Sequence, residues 1–190
     1  MVTNRYTSAI VDAFLSVLLT GGTISVALIA PNSLLFLDKP VGKYLNKLDK
    51  RSRERELDRI LLYMRKKKLV DYSLTESYQH GIVVTSAGKK RAQNADFDSM
   101  EIKKPKRWDG RWRLVFYDIP EAKKATRNLL KIKLQDLGFC LLQRSIWIYP
   151  YPCRKEIERV ALHYQVNKYV TYVEIQYIDN ENLLKMKFGL

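Results

Sequence analysis

The sequence predicts an α+β chain: an N-terminal winged helix-turn-helix followed by a ferredoxin-like β-α-β-β-α-β domain. Three observations carry this expectation. First, Leu57, Ile60, Leu61 and Met64 repeat at helical spacing, and the period then drops to two at Val70, Tyr72 and Leu74. Helices followed by a hairpin make the layout of a winged helix. Second, Lys103-Lys104-Pro105-Lys106-Arg107 is polar, basic and broken by proline, which reads as a linker. Third, the residues after it alternate strand, helix, strand, strand, helix, strand, the order of a split βαβ unit. The 190 residues suffice for two small domains. The expected boundaries are 1–98, a linker over 99–109, and 110–190.

In the first part, the stretch from Ala13 to Leu37 holds no ionisable side chain. Gly21-Gly22 interrupts it, several Ser and Thr dilute it, and Pro31-Asn32 cuts it, so buried helices are expected rather than a membrane span or signal peptide. One helix spans about Ser8 to Leu19, and a second apolar helix ends before Pro31. A short helix is expected over Val41 to Lys50. The next runs from about Arg53 to Lys68, with Ser52 as N-cap and Glu54 and Glu56 near the positive end of its dipole. The strand at Val70 then pairs with Ile82 to Thr85 across a Glu76–Gly81 loop. Thr85 or Ser86 caps a basic helix over Ala87 to Asn94.

In the second part, a strand is expected at Trp112 to Ile119. Pro120 opens a helix at its favoured first position. That helix runs to about Leu137, with Ala122, Thr126, Leu130, Leu134 and Leu137 on one side and Gly138 as its C-terminal cap. Phe139 to Tyr149 is β-rich, Cys153 to Tyr164 helical, and Tyr169 to Ile178 a strand. The tail Glu181 to Leu190 is expected to be a short helix or an arm.

Charge narrows the function. Lys and Arg number 34 against 20 Asp and Glu, a net of +14. Both halves are basic, so no single tail explains the total. A polyanion partner is expected, nucleic acid before acidic membrane. Two cysteines outside any CxxC pair exclude a disulfide scaffold and suit an intracellular, cytoplasmic protein. Two histidines without metal spacing argue against zinc. The common dinucleotide, P-loop and hydrolase motifs do not occur. No cofactor is expected.

The excess is concentrated. Lys39 to Lys68 holds 12 bases and 4 acids. Arg51, Arg55 and Arg59 fall at i, i+4, i+8 and stack on one helix face. Like charges so placed repel by about 0.2–0.5 kcal/mol per pair. Folding alone gives no reason to build that stripe, whereas phosphates or guanine edges do. Arg51, Ser52, Arg53, Arg55 and Arg59 near the helix start are therefore the candidate DNA contacts. Lys43, Lys47 and Lys50 would add phosphate contacts. The alternative is a solvated face partly neutralised by Glu54, Glu56 and Asp58. The hairpin loop Glu76-Ser77-Tyr78-Gln79-His80 carries no base, so the helix and not the wing is the expected reader.

Trp108-Asp109-Gly110-Arg111-Trp112-Arg113-Leu114-Val115-Phe116-Tyr117-Asp118-Ile119-Pro120-Glu121 resembles the core of PaaX-like transcriptional repressors, the phenylacetate-pathway regulator family. Leu137-Gly138-Phe139, the run from Leu142 to Ile148, and Tyr149-Pro150 extend the resemblance. The central domain of that family is itself similar to the small CRISPR adaptation endonuclease, a ferredoxin-like dimer. Tyr117-Asp118-Ile119 and Gln143-Arg144-Ser145-Ile146-Trp147 look like strand motifs of that endonuclease. The resemblance implies a dimeric, sequence-specific DNA-binding repressor. PaaX-like repressors typically continue into a further C-terminal domain, so a response to an acyl-CoA ligand is not carried over, and no effector is assigned.

The resemblance also implies an alternative. In the endonuclease family, matching aspartates of two subunits are proposed to hold a divalent metal that activates water, and here the matching residue is Asp118. A metal-dependent nuclease using Mg or Mn through Asp118 paired across a dimer is thus the second expectation. Against it stands a structural role for Asp118 as a cap on the following helix. A membrane-associated regulator using residues 13–37 is a third. The leading expectation is a homodimer on double-stranded DNA, its two recognition helices on two half-sites and no membrane partner.

Overall fold

The computed structural model describes residues 3–21, 24–25, 49–74 and 80–190, and they fall into two compact units, Met1–Ser99 and Met100–Leu190. In the first unit α1 (Thr3–Gly21) leads to a two-residue strand β1 (Ile24–Ser25). Helix α2 (Lys50–Lys66), the hairpin strands β2 (Val70–Leu74) and β3 (His80–Val84), and α3 (Ser86–Asp98) follow. The sheet order is β1-β3-β2, antiparallel throughout.

One core ties these elements together. Ile10, Val11, Phe14, Leu15 and Leu18 recur along one side of α1 and are buried with Leu57, Ile60 and Met64 of α2, Ile82 of β3 and Ala92 of α3. Each such side chain contributes roughly 1.5–3 kcal/mol on leaving water. Across this core, Arg91 of α3 donates from Nε to Asp12 of α1 at 2.6 Å, and its Nη2 reaches Ser8 Oγ at 3.1 Å. The helical face expected at Leu57, Ile60 and Met64 is the one buried, with Leu61 half-buried beside it.

Several expected boundaries shift. Ile24 and Ser25 pair with Ile82 and Gly81, so an extended strand stands where a second apolar helix was expected to begin. The remainder of that helix, residues 41–48 of the expected Val41–Lys50 helix and the tip of the hairpin at 75–79 lie outside the described residues; Lys50, its expected last residue, instead opens α2. Asp49, not Ser52, caps α2: its carboxylate accepts the Ser52 N–H at 2.9 Å and the Ser52 hydroxyl at 2.7 Å. Aspartate is among the strongest N-caps, and the cap therefore sits three residues earlier than the serine suggests. His80 and Gly81 belong to β3 rather than to the loop, because the ladder continues through Leu74↔His80. Helix α3 is capped by Thr85, whose Oγ1 accepts from the Gly88 N–H at 3.1 Å and donates to the Lys68 carbonyl at 2.6 Å. It persists to Asp98, four residues beyond the expected end at Asn94.

The second unit contains β4 (Trp112–Tyr117), a 3-10 turn over Glu121–Lys123, α4 (Lys124–Asp136), β5 (Cys140–Gln143), β6 (Ile146–Tyr149), α5 (Arg154–His163), β7 (Val170–Ile175) and α6 (Glu181–Phe188). The sheet order is β5-β6-β4-β7, every neighbour antiparallel. That order with two crossover helices is the ferredoxin-like arrangement of β-α-β-β-α-β. Pro120 precedes a 3-10 turn before the α-helix proper. Ala122 is exposed, and the buried positions of α4 are Leu130, Lys133 and Leu134. Gly138 follows the helix at φ +87°, the left-handed conformation a helix stop requires.

The two sheet faces are finished differently. Val115 and Tyr117 of β4 share one face with Trp147 of β6, and all three are buried, as are Leu130 and Leu134 of α4 and Ile157, Val160 and Ala161 of α5. The Trp147 indole donates to Tyr117 Oη at 3.3 Å inside this layer. The opposite face buries Trp112, Cys140 and Ile148 with Leu184 of α6. Its far end is open: Phe116 is 38% exposed, opposite Ile146 on β6 and Thr171 on β7.

Gly88 gives a test of the first unit. A Cβ there would sit 2.1 Å from the Leu69 carbonyl oxygen. Alanine normally stabilises a helix interior over glycine by about 1 kcal/mol. Here the backbone overlap dominates, and Gly88→Ala is expected to destabilise by about 1–3 kcal/mol, read as a lowered midpoint in urea denaturation. A raised midpoint would contradict this packing.

Candidate nucleic-acid interface

Helix α2 presents its apolar stripe inward and its basic residues outward. Lys50, Arg51, Arg55 and Arg59 are exposed, while Ser52 and Arg53 are half-buried. Because the helix begins at Lys50, Lys50 and Arg51 occupy its first turn, which holds no acid, and Glu54 and Glu56 lie beyond it. Cations at the positive end of a helix dipole cost roughly 0.3–1 kcal/mol each at low salt. Asp49 offsets part of this, its carboxyl held below the usual range by the hydrogen bonds from Ser52.

The arginine stripe is partly engaged. Arg55 Nε donates to the Arg51 carbonyl at 3.3 Å, a bond along its own helix. Arg59 pairs with Glu56 at 2.6 Å, yet its side chain stays 57% exposed. A surface pair of this kind is worth about 0–1 kcal/mol and yields readily to a phosphate. Ser52 is committed to Asp49 rather than pointing outward as a base contact. Lys43, Lys47 and the hairpin loop lie outside the described residues. Arg65, near the far end of α2, lies over the exposed Tyr72 ring at 4.9 Å.

Asp118 follows β4 in the second unit and is exposed. Its backbone N–H donates to the Tyr169 carbonyl at 3.0 Å. The expected capping role is not found, for the turn at Glu121–Lys123 starts from Pro120 with no side-chain capping bond. Glu121, the nearest acid in sequence, is held by Arg127 at 2.7 Å and Lys124 at 3.5 Å. Arg127 accordingly lowers the Glu121 pKa. Asp118 shares a recess with Arg127, Lys131 and Arg144. Among the described residues no group of three or more His, Cys, Asp or Glu gathers where an ion could be held. One carboxylate facing three cations does not fit a divalent ion within a single chain.

The run Trp108 to Arg113 acts structurally. Arg113 is 2% exposed and lies between Asp109 and the backbone. Its guanidinium pairs with the Asp109 carboxylate and donates to the Pro150 carbonyl at 2.6 Å and the Arg111 carbonyl at 2.8 Å. The Trp108 indole N–H reaches the Arg111 and Pro150 carbonyls, each at 3.0 Å. Sequence reasoning missed this staple; an acid and a base four apart beside two tryptophans was the available signal. Cys140 and Cys153 are free and buried, and burial pushes the Cys153 thiol up to about 12, which leaves it protonated and unreactive. Among the described residues no helix is long and apolar enough to cross a membrane.

The second unit is thus a ferredoxin-like domain whose signature run builds its own scaffold. Residues 105–186 match the family model of the PaaX protein central Cas2-like domain. The match supports the PaaX-like resemblance of the sequence. No curated protein matches the chain.

The staple is sensitive to acid. Asp109 is held below its ordinary value first by the hydrogen bond from Arg113. A carboxyl depressed on folding adds stability above its unfolded pKa, and that stability is lost as pH falls through the folded value. Asp109→Asn is expected to destabilise the chain at pH 7 by roughly 1–3 kcal/mol and to lessen its loss of stability below about pH 4. Thermal melts of both proteins from pH 7 to pH 3 check this; parallel curves would exclude the pair as a source of acid sensitivity.

Proposed function

We propose that the chain is a sequence-specific, DNA-binding transcriptional regulator of the PaaX-like type, acting in the cytoplasm as a homodimer that represses by occupying its operator. The observation that carries this is the outward basic face of α2. The helix is fixed by a deep apolar stripe, carries Lys50 and Arg51 in a first turn that holds no acid, and keeps Arg51, Arg55 and Arg59 at the surface. Among the described residues, the order α1, β1, α2, β2, β3 with β3 central in its sheet supports a winged-helix reading. In that reading α2, directly before the hairpin, is the helix that enters the major groove. The PaaX-type central domain in the second unit supports the regulatory class.

The unfinished sheet face supports the dimer reading. Phe116, with half-buried Ile146 and Val173 near it, leaves an apolar end outside the cluster that Leu184 of α6 completes. A second copy seated there would bring two copies of α2 into one particle, as a palindromic site requires.

Two measurements test the reading. Arg55→Ala with Arg59→Ala should weaken operator binding in fluorescence anisotropy at least tenfold. It should also flatten the salt dependence by about one unit of slope for each phosphate no longer neutralised. Unchanged affinity in a folded double variant would remove α2 as the interface. Separately, Phe116→Asp should convert the dimer to monomer in light scattering and weaken operator binding. A dimer that persists would move the subunit interface elsewhere.

A further inference from the structure

The recess at the end of β4 has a composition of its own. It has a volume of about 410 Å³ and is lined by Tyr117, Asp118, Arg127, Lys131, Arg144 and Ser145. Three cations face one carboxylate. Arg127 is already held by Glu121 and by the Ile119 carbonyl at 3.3 Å. Lys131 and Arg144 make no ion pair among the described residues. With Arg127 held by Glu121, Lys131 and Arg144 outnumber the single Asp118 carboxylate, and the net positive surplus attracts an anion and disfavours a metal ion.

The backbone supplies an independent observation. Arg144 and Ser145 form the two-residue turn between Gln143 of β5 and Ile146 of β6, and Arg144 has φ +21°. Glycine, asparagine or aspartate meets that requirement at lower cost. An arginine at positive φ costs more than glycine would there, and backbone strain of this kind gathers at ligand sites.

We propose that this recess binds the phosphate group of a small phosphorylated ligand. The Arg144 guanidinium grips two phosphate oxygens, Lys131 adds a point charge, and the Ser145 hydroxyl donates a third hydrogen bond. Asp118, as an acceptor, takes a hydroxyl or amine on the remainder of the ligand. The volume suits a small molecule, whereas a duplex needs a ridge such as α2. This assignment does not depend on the reading of α2.

Isothermal titration of the full chain with pyrophosphate at fixed ionic strength tests it. Saturable binding is expected, at least tenfold weaker in Lys131→Gln with Arg144→Gln and unchanged in Arg55→Ala with Arg59→Ala. Circular dichroism confirms folding, and the single Lys131→Gln variant, expected to lose threefold or more, serves if the double variant is unstable. Asp118→Asn should tighten pyrophosphate binding by removing a like charge. Absence of binding by the unmodified protein, or equal binding by the folded glutamine variants, would overturn the proposal. So would a strict need for Mg²⁺ together with loss of binding in Asp118→Asn, which would mark a metal site. Displacement of pyrophosphate by a short DNA duplex from the Arg55→Ala, Arg59→Ala protein would overturn the small-ligand assignment.

Discussion

The packing of Leu57, Ile60 and Met64 against α1 is what allows the first unit to carry its charge. A helix with bases in its first turn and arginines stacked along one side is disfavoured in isolation by the dipole and by mutual repulsion. Those penalties are tenths of a kilocalorie to about 1 kcal/mol each, whereas each buried apolar side chain returns roughly 1.5–3 kcal/mol. The core wins, and the cationic face is held rigid toward solvent. Rigidity matters because phosphate contacts made from a fixed helix do not first have to order it.

The second unit solves a different problem. Its sheet has one face with a buried centre, where the Trp147 indole donates to Tyr117 Oη, and a face that α6 finishes only in part. Arg113 is the unusual member of its strand, a buried guanidinium whose Nη donors go to Asp109 and two backbone carbonyls, leaving Nε without a partner. Breaking such an arrangement is costly because the remaining charge has nowhere to go. The tryptophan-rich run is thereby explained as a scaffold that fixes the start of β4, with Asp118 exposed just beyond the strand.

Much of the secondary structure was legible because burial has a period. The inward face of α2, the alternation in β4, and the Gly138 helix stop all follow from spacing or from one residue's conformational freedom. Ends were less legible. Ser52 looked like a cap because serine is a good one, but Asp49 three residues earlier accepts the Ser52 N–H and begins the helix. Ile24 and Ser25 read as part of an apolar helix because strand pairing with Ile82 and Gly81 is a contact across more than fifty residues. No local window contains it. Asp118 read as a cap for a similar reason: proximity to Pro120 in sequence suggested a role that the 3-10 turn does not use.

By itself the sequence determined the order of elements, the concentration of positive charge on one helix and the ferredoxin-like order of the second unit, because periodicity and charge are properties of neighbours along the chain. Only the tertiary structure decided which of those charges stay in solvent, that Arg113 is buried among carbonyls, and that Asp118 shares a recess with Arg127, Lys131 and Arg144. Those facts depend on strands and helices far apart in sequence meeting in space, and the free energy of a charge is set by what it meets there.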